Sequence, residues 1–295
     1  MVEPSVAIIL LNYNGYDYTN ACIESLEHIN YQNYIIIVVD NDSTDDSFEK
    51  LEKFRSDKIQ VIKSDKNGGF AYGNNYGIKY ALNIGFDFVL LLNNDTTVDP
   101  DFMKELIKCA DIDPDIGIVT SRIMYGSSPD KIWYAGGDVD WKHVRAIHKG
   151  LNKSIENIST NDPEMVTFAS GCCMLIPSKV IEDVGGLSED YFMYYEDLDY
   201  CLKIIDSGKK IVYNPNAVVY HYVSCSSGGE DSPFSIEWLN RSRRFIKKKY
   251  KNRDINPLLF FFCCTCYEIK VLVKVLLSSN KIAKVKAYFA SFRKV

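Results

Sequence analysis

The sequence predicts an α/β protein built on a mainly parallel central sheet flanked by helices, and three features of its first 120 residues predict it. Apolar, β-branched runs recur at 6–13, 34–41, 59–63, 86–93 and 116–120 without polar alternation, the pattern of strands buried on both faces. Stretches long enough for helices, around 16–30, 44–56, 71–84 and 100–110, lie between them, and such alternation implies parallel strands joined by crossovers. Four successive runs end on Asp, Asn or Gly, at the carboxyl ends where an open sheet of this kind binds its ligands.

The first run, VAIILLNY, ends on Asn12-Tyr13-Asn14. No G-x-G-x-x-G and no G-x-x-x-x-G-K-[ST] follows it, which argues against dinucleotide enzymes and P-loop NTPases. The second, YIIIVVDN, runs into Asp40-Asn41-Asp42, and Ser43-Thr44-Asp45-Asp46 supplies caps for the next helix. Asp40-Asn41-Asp42-Ser43-Thr44 looks like the start of an EF-hand loop, but it follows a strand and lacks the glycine at the sixth position. The third run leads to Asp65-Lys66-Asn67-Gly68-Gly69. The fourth stops on Asn93-Asn94-Asp95, with Asp99-Pro100 placed to open the helix after it. Turn chemistry explains any one of these ends. Four in succession point to a site. Asp95 suits a hard divalent cation, Mg²⁺ or Mn²⁺, whose other ligands come from water and phosphate oxygens. With Asp40 and Asp42 at a neighbouring strand end, the picture is a metal-held nucleoside diphosphate.

The second half is less regular. Residues 133–138 read as a loop, 139–165 as a polar stretch with hairpins, 165–177 as a strand broken at Gly171, 194–208 as an amphipathic helix ended by Gly208, and 209–222 as a pair of short strands. Glu196 and Asp197 open that helix. Their charges complement its dipole, or they supply a general base: adjacent acids raise each other's pKa, and Tyr191-Phe192-Met193-Tyr194-Tyr195 desolvates the approach. His221 matters chemically only if the fold brings it beside Asp95.

Composition bounds the rest. The chain has 295 residues, 46% apolar and 25% charged, ordinary for a soluble globular protein. The net charge of −5 hides an asymmetry, because from Asn240 onward 15 Lys and Arg stand against 2 Asp and Glu. An acidic body with a basic tail implies that the tail meets something anionic. The start, MVEPSVAIILLNYN, lacks a basic leader, so an intracellular, cytoplasmic protein is expected. Nine cysteines, an odd count, argue against a disulfide framework, and the lone CxxC spacing at Cys263–Cys266 has no second pair for a metal. The tail's apolar run at 258–267 is about half the roughly 20 residues that a spanning helix needs. Basic residues interleaved with Phe, Leu and Val suit helices lying in the membrane interface, at the inner face of the cell membrane. The alternative is a terminal helical hairpin packed on the body. The acidic body and the lack of a recognition motif exclude nucleic acid as a partner.

Several segments resemble family 2 glycosyltransferases, with the rhamnosyltransferase-like branch the nearest in look: NNDT after an apolar strand, VDNDSTDDS, NGGFAYGNNYGIKYA, and SGCCMLIPSKVIEDVGGLSEDYFMYYEDLDYCLKIIDSGKKIVYNPNAVVYHY. The similarity runs from about residue 5 to 250 with every motif in order. It implies a GT-A fold, a nucleotide-sugar donor, a divalent metal and inversion at the anomeric carbon. Asp95 falls on the family's metal-binding Asp, and Asn94 stands where many members carry another Asp. Asn12 lies at the first strand end, and Asp40 and Asn41 match the pair that holds the nucleoside, with Asp42 beside them. Asn41 replaces an Asp that often contacts uracil, which leaves a dTDP-sugar as open as a UDP-sugar. Asn67, Gly69 and Asn75 match the loop and helix start beside the donor, and Ser170 and Gly171 the turn near the donor sugar. Asp197, paired with Glu196, matches the proposed base, and His221 a histidine near metal and diphosphate. The expected organisation is a catalytic domain over 1–232, its nucleotide-sugar half at about 1–120 and its acceptor half at about 121–232, followed by a basic helical region over 233–295. The acceptor expected is a lipid-linked or cell-envelope glycan. Two competitors remain, a nucleotidyltransferase on a similar sheet and a non-catalytic sugar-nucleotide-binding scaffold. The first would want a basic, Gly-rich loop after the first strand, where NYNGYDYTN has no basic residue. The second would want the metal Asp or the base lost, and both are present.

Overall fold

Four strands of β-branched and aliphatic residues form the donor-side half of the sheet: β1 (Val6–Asn12), β2 (Tyr34–Asp40), β3 (Ile59–Lys63) and β4 (Phe88–Asn93). All are parallel, in the order β4-β1-β2-β3. The computed structural model describes residues 3–157, 162–223, 229, 231–251 and 256–293. Helices α1 (Tyr16–Leu26), α2 (Ser47–Leu51) and α3 (Gly69–Ile84) make the crossovers. The first is shorter than the 16–30 expected, and the second is a single turn continued by a 3₁₀ segment, Glu52–Phe54. α3 runs close over β1 and β2: a Cβ added to Gly77 would lie 2.7 Å from Ile9 Cγ2, so glycine sets the spacing between helix and sheet.

After β4 the chain makes a short strand, β5 (Thr96–Val98), which periodicity did not reveal, and then α4 (Phe102–Ala110). The strand seen at 116–120 extends as β6 (Ile116–Tyr125). Residues 133–138 are no loop. They hold the end of β7 (Ser128–Tyr134) and the start of β8 (Gly137–Asp140), with Gly136 at φ +83° making the turn. β8 pairs with β9 (Arg145–His148) as a separate antiparallel hairpin. The broken strand at 165–177 resolves into β10 (Glu164–Val166) and β11 (Cys173–Pro177), followed by α5 (Ser178–Val184) and α6 (Glu196–Asp206).

The expected pair of short strands at 209–222 is one strand, β12 (Lys210–His221). It pairs in parallel with β6 along its length, with a register shift between Asn214 and Val218. The polar Asn214-Pro215-Asn216 in its middle forms a bulge, not a break between two strands. Asn214 Nδ2 donates to Glu105 O at 2.8 Å, so the bulge is tied to α4. The ten-stranded sheet runs β10-β12-β6-β11-β4-β1-β2-β3, with β5 paired to β12 and β7 to β6 off this path, and β11 is antiparallel to β4 and to β6.

The C-terminal region forms α7 (Pro233–Lys249), α8 (Pro257–Leu277) and α9 (Lys281–Ala290). α7 packs on the body through the segment before α6. Ser242 Oγ donates to Met193 O at 2.8 Å, Trp238 stacks on Phe192 with ring centres 4.4 Å apart, and Lys249 pairs with buried Asp199 at 2.8 Å. α8 packs by one face only, and Leu258, Phe261, Phe262, Ile269, Val273, Leu276 and Leu277 are exposed on the other. No described helix is long and apolar enough to cross a membrane.

Candidate functional site

The site lies at the carboxyl ends of β1, β2 and β4. Asp95 follows β4 by two residues and is held there by β5, because antiparallel pairing of β5 with β12 sets Thr96 opposite His221. Tyr222 N donates to Asp95 O at 2.9 Å and closes the ladder. The result places His221 Nε2 3.1 Å from Asp95 Oδ1, both side chains buried. Although close, the two are not aligned as a hydrogen bond. Asp95 Oδ1 and His221 Nδ1 have no hydrogen-bond partner among the described residues. A buried carboxylate oxygen without a donor, beside an imidazole, is a pair that wants a cation. The ring of Trp133 stands edge-on to His221 at 4.7 Å between centres and fixes its plane.

The amides around Asp95 face inward. Asn94 Nδ2 donates to Thr19 Oγ1 at 2.8 Å, and Thr19 Oγ1 donates to Asn12 Oδ1 at 2.9 Å. Asn12 Nδ2 then donates to Asp40 Oδ2 at 2.9 Å. Asp40 is fully buried and also accepts from Ser43 N and Ser43 Oγ, at 2.9 and 2.7 Å. Thr19, on α1, is the connecting residue that sequence reasoning missed, since nothing in a lone helix Thr marks it. Asn41 Nδ2 donates to Asn67 Oδ1 and to Gly69 O, both at 3.1 Å, joining β2 to the start of α3. Asp42, at φ +59°, leaves the pocket floor and approaches Lys63 Nζ at 3.7 Å. Asn75 does not join this group: its amide brackets Leu187, donating to Leu187 O and accepting from Leu187 N, both at 2.9 Å.

The turn before β11 links the end of β4, which leads to Asp95, with Asp197. Asn93 N donates to Cys172 O at 3.0 Å, and Gly171 N donates to Asp197 Oδ2 at 3.2 Å. Ser170 Oγ accepts from Cys172 N at 3.3 Å and stiffens the turn. Asp197 Oδ1 also accepts from Leu198 N at 2.8 Å. Burial raises the pKa of both acids. For Glu196 the cause is burial first and the charge of Asp197 second, and the rise is large. For Asp197 burial is opposed by the backbone N–H groups of Gly171 and Leu198. Glu196 Oε2 has no partner among the described residues. The backbone N–H groups on Asp197 thus favour charge there over Glu196, whose pKa is raised the further. Tyr194 and Tyr195, at φ +68° and +72°, deliver the two acids from consecutive left-handed positions that bulky side chains rarely adopt. Gly69, at φ +87°, makes that segment possible. A Cβ there would sit 2.0 Å from Phe192 O, and Phe70 N donates to Phe192 O at 2.8 Å.

The family profile described as glycosyl transferase family 2 matches residues 7–185. An uncharacterized protein, y4gI, of Sinorhizobium fredii is 28% identical over 268 residues, covering 85% of this chain and 28% of that protein. The N-acetylglucosaminyl-diphospho-decaprenol L-rhamnosyltransferase of Mycobacterium tuberculosis is 40% identical over 63 residues, 21% of this chain and 20% of that enzyme. The chain thus spans less than a third of the length of either relative. The crystal structure of GalNAc-T7 with UDP, GalNAc and Mn²⁺ superposes with a TM-score of 0.67 at 13% identity, over 97% of this chain and 54% of that one. The shared architecture is the GT-A fold.

Proposed function

The chain belongs to glycosyl transferase family 2, and on that premise we propose that it moves a sugar from a nucleoside-diphosphate sugar to an acceptor hydroxyl with inversion at the anomeric carbon. One observation carries the reading: Asp95 and His221 lie buried 3.1 Å apart, with Asp95 Oδ1 and His221 Nδ1 lacking hydrogen-bond partners among the described residues, and the turn whose Gly171 N holds Asp197 also takes Asn93 N, two residues before Asp95. Asp95 and His221 would hold a divalent cation, and among the described residues no third acidic, His or Cys group joins them, so the rest of its ligands would have to come from the donor and water. A ligand set of one carboxylate and one imidazole favours Mn²⁺ over Mg²⁺, which prefers oxygen. The cation supplies charge neutralisation at the departing diphosphate.

The chain's own groups do the rest. The Asn12–Asp40–Ser43 and Asn41–Asn67–Gly69 bonds shape the nucleoside pocket at the ends of β1 and β2. Asp197 accepts the proton of the acceptor hydroxyl, whose oxygen forms the new bond to the anomeric carbon as the bond to the diphosphate breaks. Attack from the face opposite the leaving group inverts that carbon. Glu196, kept neutral, leaves Asp197 as the one charged acid of the pair. Residues 1–232 form the catalytic domain in this reading. The rhamnosyltransferase named among the relatives supports a deoxyhexose donor, dTDP- or UDP-linked, and a lipid-linked or cell-envelope acceptor. The exposed apolar face of α8, with Lys270 and Lys274 beside it, supports peripheral docking at the inner face of a membrane from the cytoplasm.

Calorimetric titration with UDP, dTDP and GDP, each with and without Mn²⁺, tests the donor site. Metal-dependent binding of one nucleotide, lost in Asp95→Ala, is the expected result. Asp197→Asn should keep that binding and lose transfer. Failure of every nucleotide to bind a folded protein sinks the assignment.

A further inference from the structure

Two cations lie buried in α7 with no carboxylate paired to them among the described residues. Arg243 is 1% exposed, and its Nε and Nη1 have no hydrogen-bond partner among the described residues. Its Nη2 donates to His143 O at 3.3 Å, a backbone carbonyl. One turn further, Lys247 is 7% exposed. Both rest on the ring of Tyr267 from α8. Among the described residues no carboxylate is within ion-pair distance of either. Glu268, which faces the same space, is taken by Arg244 at 2.6 Å and by the Tyr288 hydroxyl at 2.9 Å. An unpaired buried cation costs several kcal/mol, and a like-charged neighbour at i+4 adds to the penalty. Desolvation lowers the pKa of both groups, the charge of Arg243 lowers that of Lys247 further, and the more distant charge of Glu268 opposes the fall in both. α7 keeps these residues where two apolar side chains would pack at no such cost.

Position gives the cost a purpose. Arg243 and Arg145 both act by their charge on the hydroxyl of Tyr195, whose pKa burial raises and these two cations lower. Tyr195 immediately precedes Glu196 and Asp197 and is only partly buried, and the Arg145 side chain is 52% exposed. Arg243 Nη2 bonds to His143 O, two residues before Arg145, so the buried cations lie beside the hairpin that carries Arg145, whose own guanidinium pairs with Asp140 at 3.0 Å.

We propose that Arg145, Arg243 and Lys247, with Tyr195 and Tyr267, form an oxyanion site that takes the phosphate or diphosphate group of the acceptor. Guanidinium donors match phosphate oxygens two at a time, and the lysine adds a point charge. An acceptor anchored there by its phosphate presents its sugar towards Asp197, two residues from Tyr195. The site rests on the transferase reading of Asp95 and Asp197, but its ligand needs neither metal nor nucleotide.

The test uses the full chain carrying Asp95→Ala, without divalent cation, titrated with inorganic pyrophosphate and with farnesyl diphosphate. Both should bind, farnesyl diphosphate the more tightly. Binding should fall about tenfold or more in Arg243→Met and several-fold in Arg145→Ala, as loss of charge-assisted phosphate bonds requires. Arg243→Met may be read only where it melts cooperatively, and Arg145→Ala and Lys247→Met serve where it does not. No binding of either probe, or binding unchanged in Arg145→Ala and Lys247→Met, overturns the proposal. Binding of pyrophosphate with rejection of farnesyl diphosphate overturns the acceptor role and assigns the site to a free anion. A failed nucleotide titration of the unsubstituted chain would instead strike the donor site.

Discussion

Replacing Glu196 by Gln should be nearly silent in catalysis and should change how stability depends on pH. Glu196 is 6% exposed, its Oε2 has no partner among the described residues, and the next residue is the second acid, Asp197. Burial and the charge of Asp197 hold its pKa well above the ordinary 4.5. In the unfolded chain the group loses its proton near 4.5, while in the fold it keeps it to a higher pH. Between those two values the native state binds more protons, so stability falls as pH rises, by up to about 1.4 kcal/mol per pH unit from this one group. The contribution is fully present below 4.5 and is lost as pH climbs through the folded value. Gln has the shape of the protonated acid and no proton to lose, so the variant should lack this fall. Urea denaturation of both proteins from pH 4 to about 9 reads the difference directly. Transfer at neutral pH should stay within about threefold of the parent, because a group that is already neutral surrenders no charge, whereas Asp197→Asn should cost about 10²–10⁴-fold. Parallel stability curves would show that Glu196 ionises inside the fold. Loss of transfer as deep as in Asp197→Asn would show that the base is Glu196 or the pair together.

Four further outcomes follow from individual features of the structure. The acid limb of the pH profile of kcat/KM should lie above the ordinary 3.8 of an aspartate, since burial raises the Asp197 pKa; a limb at or below that value counts against Asp197 as base. Gly69→Ala puts a Cβ into Phe192 O and a left-handed φ on alanine, so urea midpoints should drop by the equivalent of about 1–3 kcal/mol, with transfer falling as the 191–195 segment shifts. Lys249→Met strips the buried Asp199 of its cation; with Lys249 partly exposed, a loss of about 1–3 kcal/mol is expected, and an unchanged midpoint would mean that the Tyr191 hydroxyl suffices. On the apolar face of α8, Phe261→Glu with Ile269→Glu should abolish sedimentation with anionic vesicles at unchanged melting temperature, and retained binding would move the membrane contact elsewhere.

The sequence by itself determined the parallel half of the sheet and the functional ends of its strands. Runs such as YIIIVVD and FVLLLN are buried on both faces, so their apolar continuity is a local property that needs no partner to be read. Where they stop, the polar residues are necessarily at the sheet's carboxyl edge, which is why Asn12, Asp40, Asn41 and Asp95 were legible as a group. The antiparallel half was not. β5 is three residues long, and the bulge in β12 is stabilised by α4, so neither carries a periodicity of its own. His221 shows the limit most plainly. It lies 126 positions from Asp95 in the chain, and only the β5–β12 register brings the two within 3.1 Å. Likewise the motif that supplied Glu196 and Asp197 could not say which acid is charged. What separates them is Gly171, on a different element, whose N–H reaches Asp197 while Glu196 Oε2 has no partner among the described residues. Strand ends are written into local composition. Which of them meet, and which proton is held, depends on pairings between distant segments and on burial that only the folded chain creates.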